Sequence, residues 1–426
     1  MSLMLCIAVL VAGMIFYLPI AFSLLVAAIT YILLEHLPKE MIVQQIYGGI
    51  NSYTLMALPL FVTVGTLMER GNISERLITF AASLVGHIRG GLAMVVVVNN
   101  MFMGGVSGSA VADCAATGTV MIPQMIRRGY SRGFAAALNS SASSIGIIIP
   151  PSIDMVIFGV FTGASVGTLF VAGFVPGILV GLVMMVVVYF MSGKYRFPIE
   201  GRFVITRVFS AFKQAVLALF LPIIILGGLM GGIFTPTEAG AVAVAYGLFL
   251  SLVYRSLSWK DLYRVLVDSA VMSSIVMILV GTSTVLGWVL AYVKVPQTIA
   301  RATLSISTSP TVILLLITAL LLVLGMFLHG AAMLVLVIPV MLPVILLLKI
   351  NLIHFGILCV FGVGIGQQTP PVGSTLFVAS AIAKTSIVEV TKHNIPFILC
   401  LLGVMLLILF VPDVALLLPK MAGLVK

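Results

Sequence analysis

The chain has 426 residues, of which 62% are apolar and 8% charged, with 40 glycines and a formal net charge of +10. A soluble domain carries about 25% charged residues, so this composition excludes a water-soluble enzyme and a disordered chain alike. Apolar runs of about 18 residues or more recur along the whole length, the signature of an all-α polytopic membrane protein with no separate soluble domain.

In chain order, the first apolar run has no Lys or Arg before Lys39 and reads as membrane segments rather than a cleaved leader. Two helices meet at a break at Leu18-Pro19, and a third span follows at about 52–69. An amphipathic stretch at about 73–87 leads into a segment, about 90–126, whose middle reads "GGVSGSA". Arg89 stands at one end of it and Arg127-Arg128 at the other. Both ends therefore prefer the cytoplasm, which predicts a re-entrant hairpin. A helix at about 134–160 is broken at Pro150-Pro151, and one more span closes the first half, 1–193. The polar stretch 194–213 reads as a cytoplasmic linker. The second half, 214–426, has a break at Thr235–Glu238, a span at about 268–292 and an amphipathic stretch at about 295–306. A hairpin at about 308–348 with the tip "GMFLHGAA" comes next, then a helix at about 352–382 broken at Pro370-Pro371.

The halves match in order and nearly in offset. Gly13 pairs with Gly231, Val64–Thr66 with Val280–Thr282, Gly105 with Gly325, Pro123 with Pro343 and Pro150-Pro151 with Pro370-Pro371, at offsets from 216 to 220. Five spans plus one hairpin per repeat make an odd number of crossings, so the second repeat is expected to be inverted. That topology puts both termini outside. Of the 22 Lys and Arg, it places Lys39, Lys294, Arg301, Lys349, Lys420 and Lys426 outside and the other 16 inside, in accord with the positive-inside rule. The net charge thus marks a membrane face. No basic helix face with interleaved aromatics points to nucleic acid, and lipid is the expected surroundings. Cys6, Cys114, Cys359 and Cys400 lie in apolar runs without CxxC spacing and read as small core residues.

Inverted repeats with helices interrupted by Gly, Ser and Pro point to a secondary transporter, because non-helical backbone at membrane depth is tolerated only where it is buried or lines a cavity. Four polar clusters fall at matched places: Ser107, Gly108, Ser109 and Asp113; then Asn139, Ser140, Ser141, Ser143, Ser144, Ser152 and Asp154; then Gly325, His329 and Gly330; then Gln367, Gln368, Thr369, Ser374 and Thr375. Hydroxyls, amide oxygens and freed carbonyls suit a hard cation such as Na⁺, and half-helix amino ends favour a carboxylate. One Na⁺ near each hairpin tip is the economical expectation. Asp113 and Asp154 are carboxylates in apolar surroundings, functional by default, with helix capping as the competing role. Glu238 reads as a helix-start carboxylate and His354 as structural.

Gly105-Val106-Ser107-Gly108 satisfies the GxSG string of intramembrane serine proteases, but a duplicated plan of ten spans does not suit a small protease core. HExxH and a phosphate-cradling GKS/GKT loop are absent from the sequence, leaving zinc proteolysis and ATP hydrolysis without support. No enzymatic activity is expected. A channel or an H⁺-coupled anion transporter is the alternative.

The strings "ALPLFVTVGTLMERGNISERL", "GGVSGSAVADCAATGTVMIPQM", "IIPPSI", "GGIFTPTEAGAV" and "HFGILCVFGVGIGQQTPPVG" resemble the large membrane subunit of tripartite ATP-independent periplasmic (TRAP) transporters over nearly the whole chain. The resemblance implies a permease of the bacterial inner membrane with an elevator-type transport domain. It also implies a small four-helix membrane subunit and a periplasmic substrate-binding protein as partners. Uptake would be driven by Na⁺, with organic acids such as C4-dicarboxylates or sialic acid as substrates. By motif, it places a first Na⁺ site at Ser107, Gly108, Ser109, Asn139, Ser141 and Ser144, and a second at Gly325, Gly366, Gln367 and Thr369. Ser107, Ser152 and His329 would face the substrate. Position 329 departs from the family pattern, in which Asp is common there. A histidine can be neutral or cationic near neutral pH, which opens a different pairing with substrate and a proton role.

Overall fold

The computed structural model describes residues 1–16, 18–71, 73–195, 197 and 203–425. The linker at 194–213 falls partly outside the described residues, as do Arg196, Arg202 and Lys426. Every described element is helical, as lipid requires of an open chain that must satisfy its own backbone groups. Six helices are long and apolar enough to cross a membrane alone, and up to nine spans result if each of three bent pairs is one.

The first half begins with α1 (Ser2–Ile15) and α2 (Ile20–Leu34), which pack on each other so closely that a Cβ on Gly13 would lie 2.7 Å from Ser23 Oγ. At 14 and 15 residues they are only about 21–23 Å long. Then come α3 (Glu40–Ile50), a 3₁₀ turn (Thr54–Met56), α4 (Ala57–Arg70) and α5 (Ile73–Val85). The hairpin limbs are α6 (Gly91–Ser107) and α7 (Ala110–Arg127). The broken helix consists of α8 (Arg132–Ser143), α9 (Ile145–Ile148) and α10 (Ile153–Thr162), and α11 (Val166–Tyr195) follows.

The second half contains α12 (Ile205–Met230), α13 (Pro236–Val253), α14 (Trp259–Tyr292) and α15 (Val295–Ile306). Its hairpin limbs are α16 (Pro310–Gly325) and α17 (Gly330–Leu347), and its broken helix is α18 (Leu352–Gly366) with α19 (Ser374–Ala383). The chain continues through α20 (Ile387–Phe410) to α21 (Asp413–Met421). The last is a helix that the sequence reading did not separate; it lies against α11. Pro150-Pro151 and Pro370-Pro371 are both cis.

The third span differs between the halves. Asn51 leaves helical geometry (φ −82°, ψ 66°), and α3 meets the 3₁₀–α4 segment at 63°. Its counterpart is α14, continuous over 34 residues, so the span expected at 268–292 starts earlier, at Trp259. A capping box, in which Ser258 and Asp261 satisfy each other's backbone N–H groups, starts that helix. Around α14, α3, α4 and α13 form one packed group. Thr284 Oγ1 donates to the Gln45 carbonyl at 3.1 Å, Ser269 Oγ to Thr66 Oγ1 at 3.3 Å, and Thr237 Oγ1 to the Tyr53 carbonyl at 3.0 Å. Arg70 pairs with Asp268. A second group holds the hairpins and broken helices. Within it α18 is buried from Ile353 to Gly366, the pattern of a helix apolar on all sides, and α8 packs against α19 and α20.

Candidate functional site

The first hairpin turns at Gly108, whose φ of +65° is left-handed. A Cβ there would stand 2.4 Å from the Pro151 carbonyl oxygen, so only glycine lets the tip rest on the broken helix. The Ile153 N–H donates to the Gly108 carbonyl across this contact at 3.4 Å. Ser109 caps α7, its Oγ accepting from the Ala112 N–H. Ser107 Oγ donates to Asp113 Oδ1 at 2.5 Å and accepts from the Ser109 N–H at 3.3 Å. Asp113 is fully buried and its Oδ2 has no hydrogen-bond partner. That oxygen lies over Gly146, where a Cβ would be 1.9 Å away.

Glycine backbones close the second tip. A Cβ on Gly325 would lie 2.9 Å from Gly366 Cα, and one on Gly366 would lie 2.5 Å from Gly325 Cα. The Val372 N–H donates to the Met326 carbonyl at 3.1 Å, tying tip to break. Thr375 folds the break back on itself: its N–H and hydroxyl donate to the Gln367 carbonyl at 3.0 and 2.8 Å. Thr369 Oγ1 donates to the Ile365 carbonyl at 2.6 Å. Gln367 Oε1 is buried with no partner. His329 occupies the N-cap position of α17 without a side-chain cap bond.

The two breaks are joined by hydrogen bonds across the halves. Ser144 Oγ donates to the Gly364 carbonyl at 2.8 Å, and Ser140 and Thr375 share a hydroxyl bond of 3.0 Å. Ser141 bonds to Gln368 and, at 2.5 Å, to Asn394 Oδ1. Asn394 Nδ2 reaches the Gln368 carbonyl at 2.9 Å. Asn139 turns instead to α7, donating to the Cys114 carbonyl at 2.8 Å and leaving its buried Oδ1 unpartnered.

A cavity of about 270 Å³ opens between the tips. Gly108, Ser109, Asp154, His329 and Gln367 supply its polar lining, and apolar side chains of α2, α4 and α14 wall one side. Among the described residues no Lys or Arg lines it.

The structure therefore gathers Ser107, Gly108, Ser109 and Asp113 at one tip and Gly325, Gly366, Gln367 and Thr369 at the other contact. It attaches Ser141 and Ser144, expected with the first group, to the second break. Of the three residues expected to face substrate, His329 lines the cavity, Ser107 turns to Asp113, and Ser152 caps α10 by accepting from the Met155 N–H at 3.4 Å. The GxSG serine is engaged with a carboxylate. Glu238 caps α13 as expected, in a reciprocal box with Thr235. His354 Nε2–H donates to the Ile408 carbonyl at 2.9 Å, in a structural place. Asn394 and the pair Asn99–Thr117, bonded at 2.9 Å, escaped the sequence reading. Asparagine inside an apolar run is the signal that would have found Asn99.

These elements define a multi-pass helical membrane protein in which two hairpin tips sit on two broken helices. The fold agrees: the solved Alcanivorax borkumensis YdaH transporter superposes with a TM-score of 0.62 over 90% of this chain and 87% of that one, at 15% identity. Residues 7–414 match the family model "Tripartite ATP-independent periplasmic transporter, DctM component", and the chain belongs to that family, one of transporters and not of enzymes. It is 38% identical to the sialic acid TRAP transporter large permease protein SiaM of Vibrio cholerae, covering 95% of each chain. It is 40% identical to the isethionate TRAP transporter permease protein DctMQ of Oleidesulfovibrio alaskensis over 93% of this chain, and spans 63% of that longer protein.

Proposed function

We propose that this permease carries out Na⁺-coupled secondary active uptake of an organic acid across a bacterial inner membrane by an elevator movement. A periplasmic binding protein would deliver the acid, and a small four-helix membrane subunit would complete the complex. The observation that carries this reading is the pair of hairpin–break contacts, each offering buried oxygens without a partner beside an uncommitted cavity. Asn139 Oδ1 and Asp113 Oδ2 are such acceptors at the first contact, and Gln367 Oε1 at the second. Buried acceptors left unpaired cost about 1–3 kcal/mol each, and a bound cation removes that cost. Two Na⁺ would also offset the charge of an acid held by helix amino ends in a cavity without Lys or Arg. The two packed groups of helices, one around α14 and one around the hairpins, are the parts an elevator would move past each other. Relatives of nearly equal identity are named for isethionate and for sialic acid, so the acid is assigned here by class only.

The test is uptake by the complex of this chain with its two partners in proteoliposomes. An inward Na⁺ gradient should drive accumulation, and collapsing that gradient with a Na⁺ ionophore should abolish it. Accumulation that persists without Na⁺ would remove the coupling, and downhill flux without saturation would favour a channel.

A further inference from the structure

Among the described residues Asp154 is the one carboxylate in the cavity lining, and neither the cation sites nor the caps above make use of it. It is the second residue of α10, immediately beyond the first break, and only 6% exposed. No described residue hydrogen-bonds to it or pairs with it. A lone buried carboxylate is costly unless something pairs with it, and among the described residues the only basic group sharing its cavity is the imidazole of His329.

The local geometry is built around this side chain. Gly330, the first residue of α17, has no Cβ; one placed there would lie 3.2 Å from Asp154 Oδ1 and 2.8 Å from Gln367 Nε2. The bare glycine lets the carboxylate and the amide lean over the same point of the cavity. Gln367 is 4% exposed. The Asp154 carboxylate is thus an acceptor with donors close beside it: Gln367 Nε2, the first-turn N–H groups of α17, which has no side-chain cap, and the imidazole that shares the cavity. A simple anion satisfies the donors and leaves Asp154 facing a like charge. An acid that also carries an O–H or N–H group satisfies the donors and Asp154 at once.

We propose that Asp154 is a specificity-determining residue that contacts the substrate, and that it selects acids with a hydroxyl or ammonium group close to the anionic group. The inference, which rests on the transport reading above, separates from it by experiment. Apparent affinities of the purified permease in Na⁺ buffer would be measured by ligand-dependent thermal shift, using L-malate and L-aspartate against succinate. Wild type should prefer both donor-bearing acids over succinate by at least about tenfold, well inside the about 10⁴ that a site built to bond a donor can reach. Asp154→Leu, which removes both the charge and the acceptor, should bring both ratios close to one. Asp154→Asn keeps an acceptor but no charge, so it should lower the aspartate preference more than the malate preference. Variants are compared on monodisperse protein, and Asp154→Ser serves if the leucine variant does not fold. Ratios unchanged in the leucine or serine variant, a wild-type preference for succinate, or no binding of any of the three would overturn the proposal. Uptake by the full complex is scored separately: a permease that binds with these ratios but accumulates nothing refutes transport and leaves the role of Asp154 standing.

Discussion

The two hairpin–break contacts reach the same arrangement by different means. At the first, a left-handed glycine rests on a carbonyl and the surroundings are side chains: Ser107, Ser109, Asp113 and Asn139. At the second, two helices touch backbone to backbone through Gly325 and Gly366, and the polar groups are mostly the break's own carbonyls and amides. A contact made by side chains can give way and re-form when a neighbour changes. A contact made by backbone cannot, because nothing in it rotates. The first should tolerate repair by a second substitution, and the second should not.

The largest effect is expected at the second contact. Gly366→Ala puts a methyl 2.5 Å from Gly325 Cα, overpacking of a kind that costs about 3 kcal/mol. Monodisperse yield and Tm should fall sharply. Gly146→Ala also creates a clash, at 1.9 Å, but against the Asp113 carboxylate. Its loss of Tm should be smaller and partly recovered by Asp113→Ala in the same chain. Equal, unrecovered losses at the two sites would erase the distinction. An intermediate effect is expected for Asn394→Ala, which strips bonds from Ser141 and the Gln368 carbonyl. Leaving those buried groups unpaired costs about 1–3 kcal/mol, read as a drop in Tm with the fold retained. The smallest is Arg70→Gln. Its ion pair with Asp268 is 35% and 45% exposed, and such pairs are worth about 0–1 kcal/mol. Tm should barely move, and less so at high salt.

What could be read from the sequence follows from how local each signal is. Pro150-Pro151, Pro370-Pro371 and the glycine-rich tips interrupt apolar runs at single places, and helices end beside them: α9 at Ile148, α18 at Gly366, α6 at Ser107 and α16 at Gly325. The bend after Asn51 was not legible, because its counterpart in α14 runs straight and the repeat argument carried the simpler form to both halves. The bonds that join the breaks were not legible either. Ser144 and Gly364 are 220 residues apart, and Ser141 and Asn394 are 253 apart. Asn394 sits close behind Lys392 and His393, where it reads as part of a polar loop, yet it is fully buried on α20. Asp154 was legible as an intramembrane carboxylate but not as a cavity residue, since that depends on Gly330 being bare.

If each contact holds its own cation, as proposed, the Na⁺ dependence of uptake reads it out. In the reconstituted complex, uptake by the wild-type chain should rise sigmoidally with Na⁺, with a Hill coefficient between about 1 and 2, the bound set by two sites. Asn139→Ala at the first contact and Gln367→Ala at the second should each shift the curve to higher Na⁺ and lower the coefficient towards 1. A hyperbolic wild-type curve, or two variants that leave its position and shape unchanged, would contradict the account.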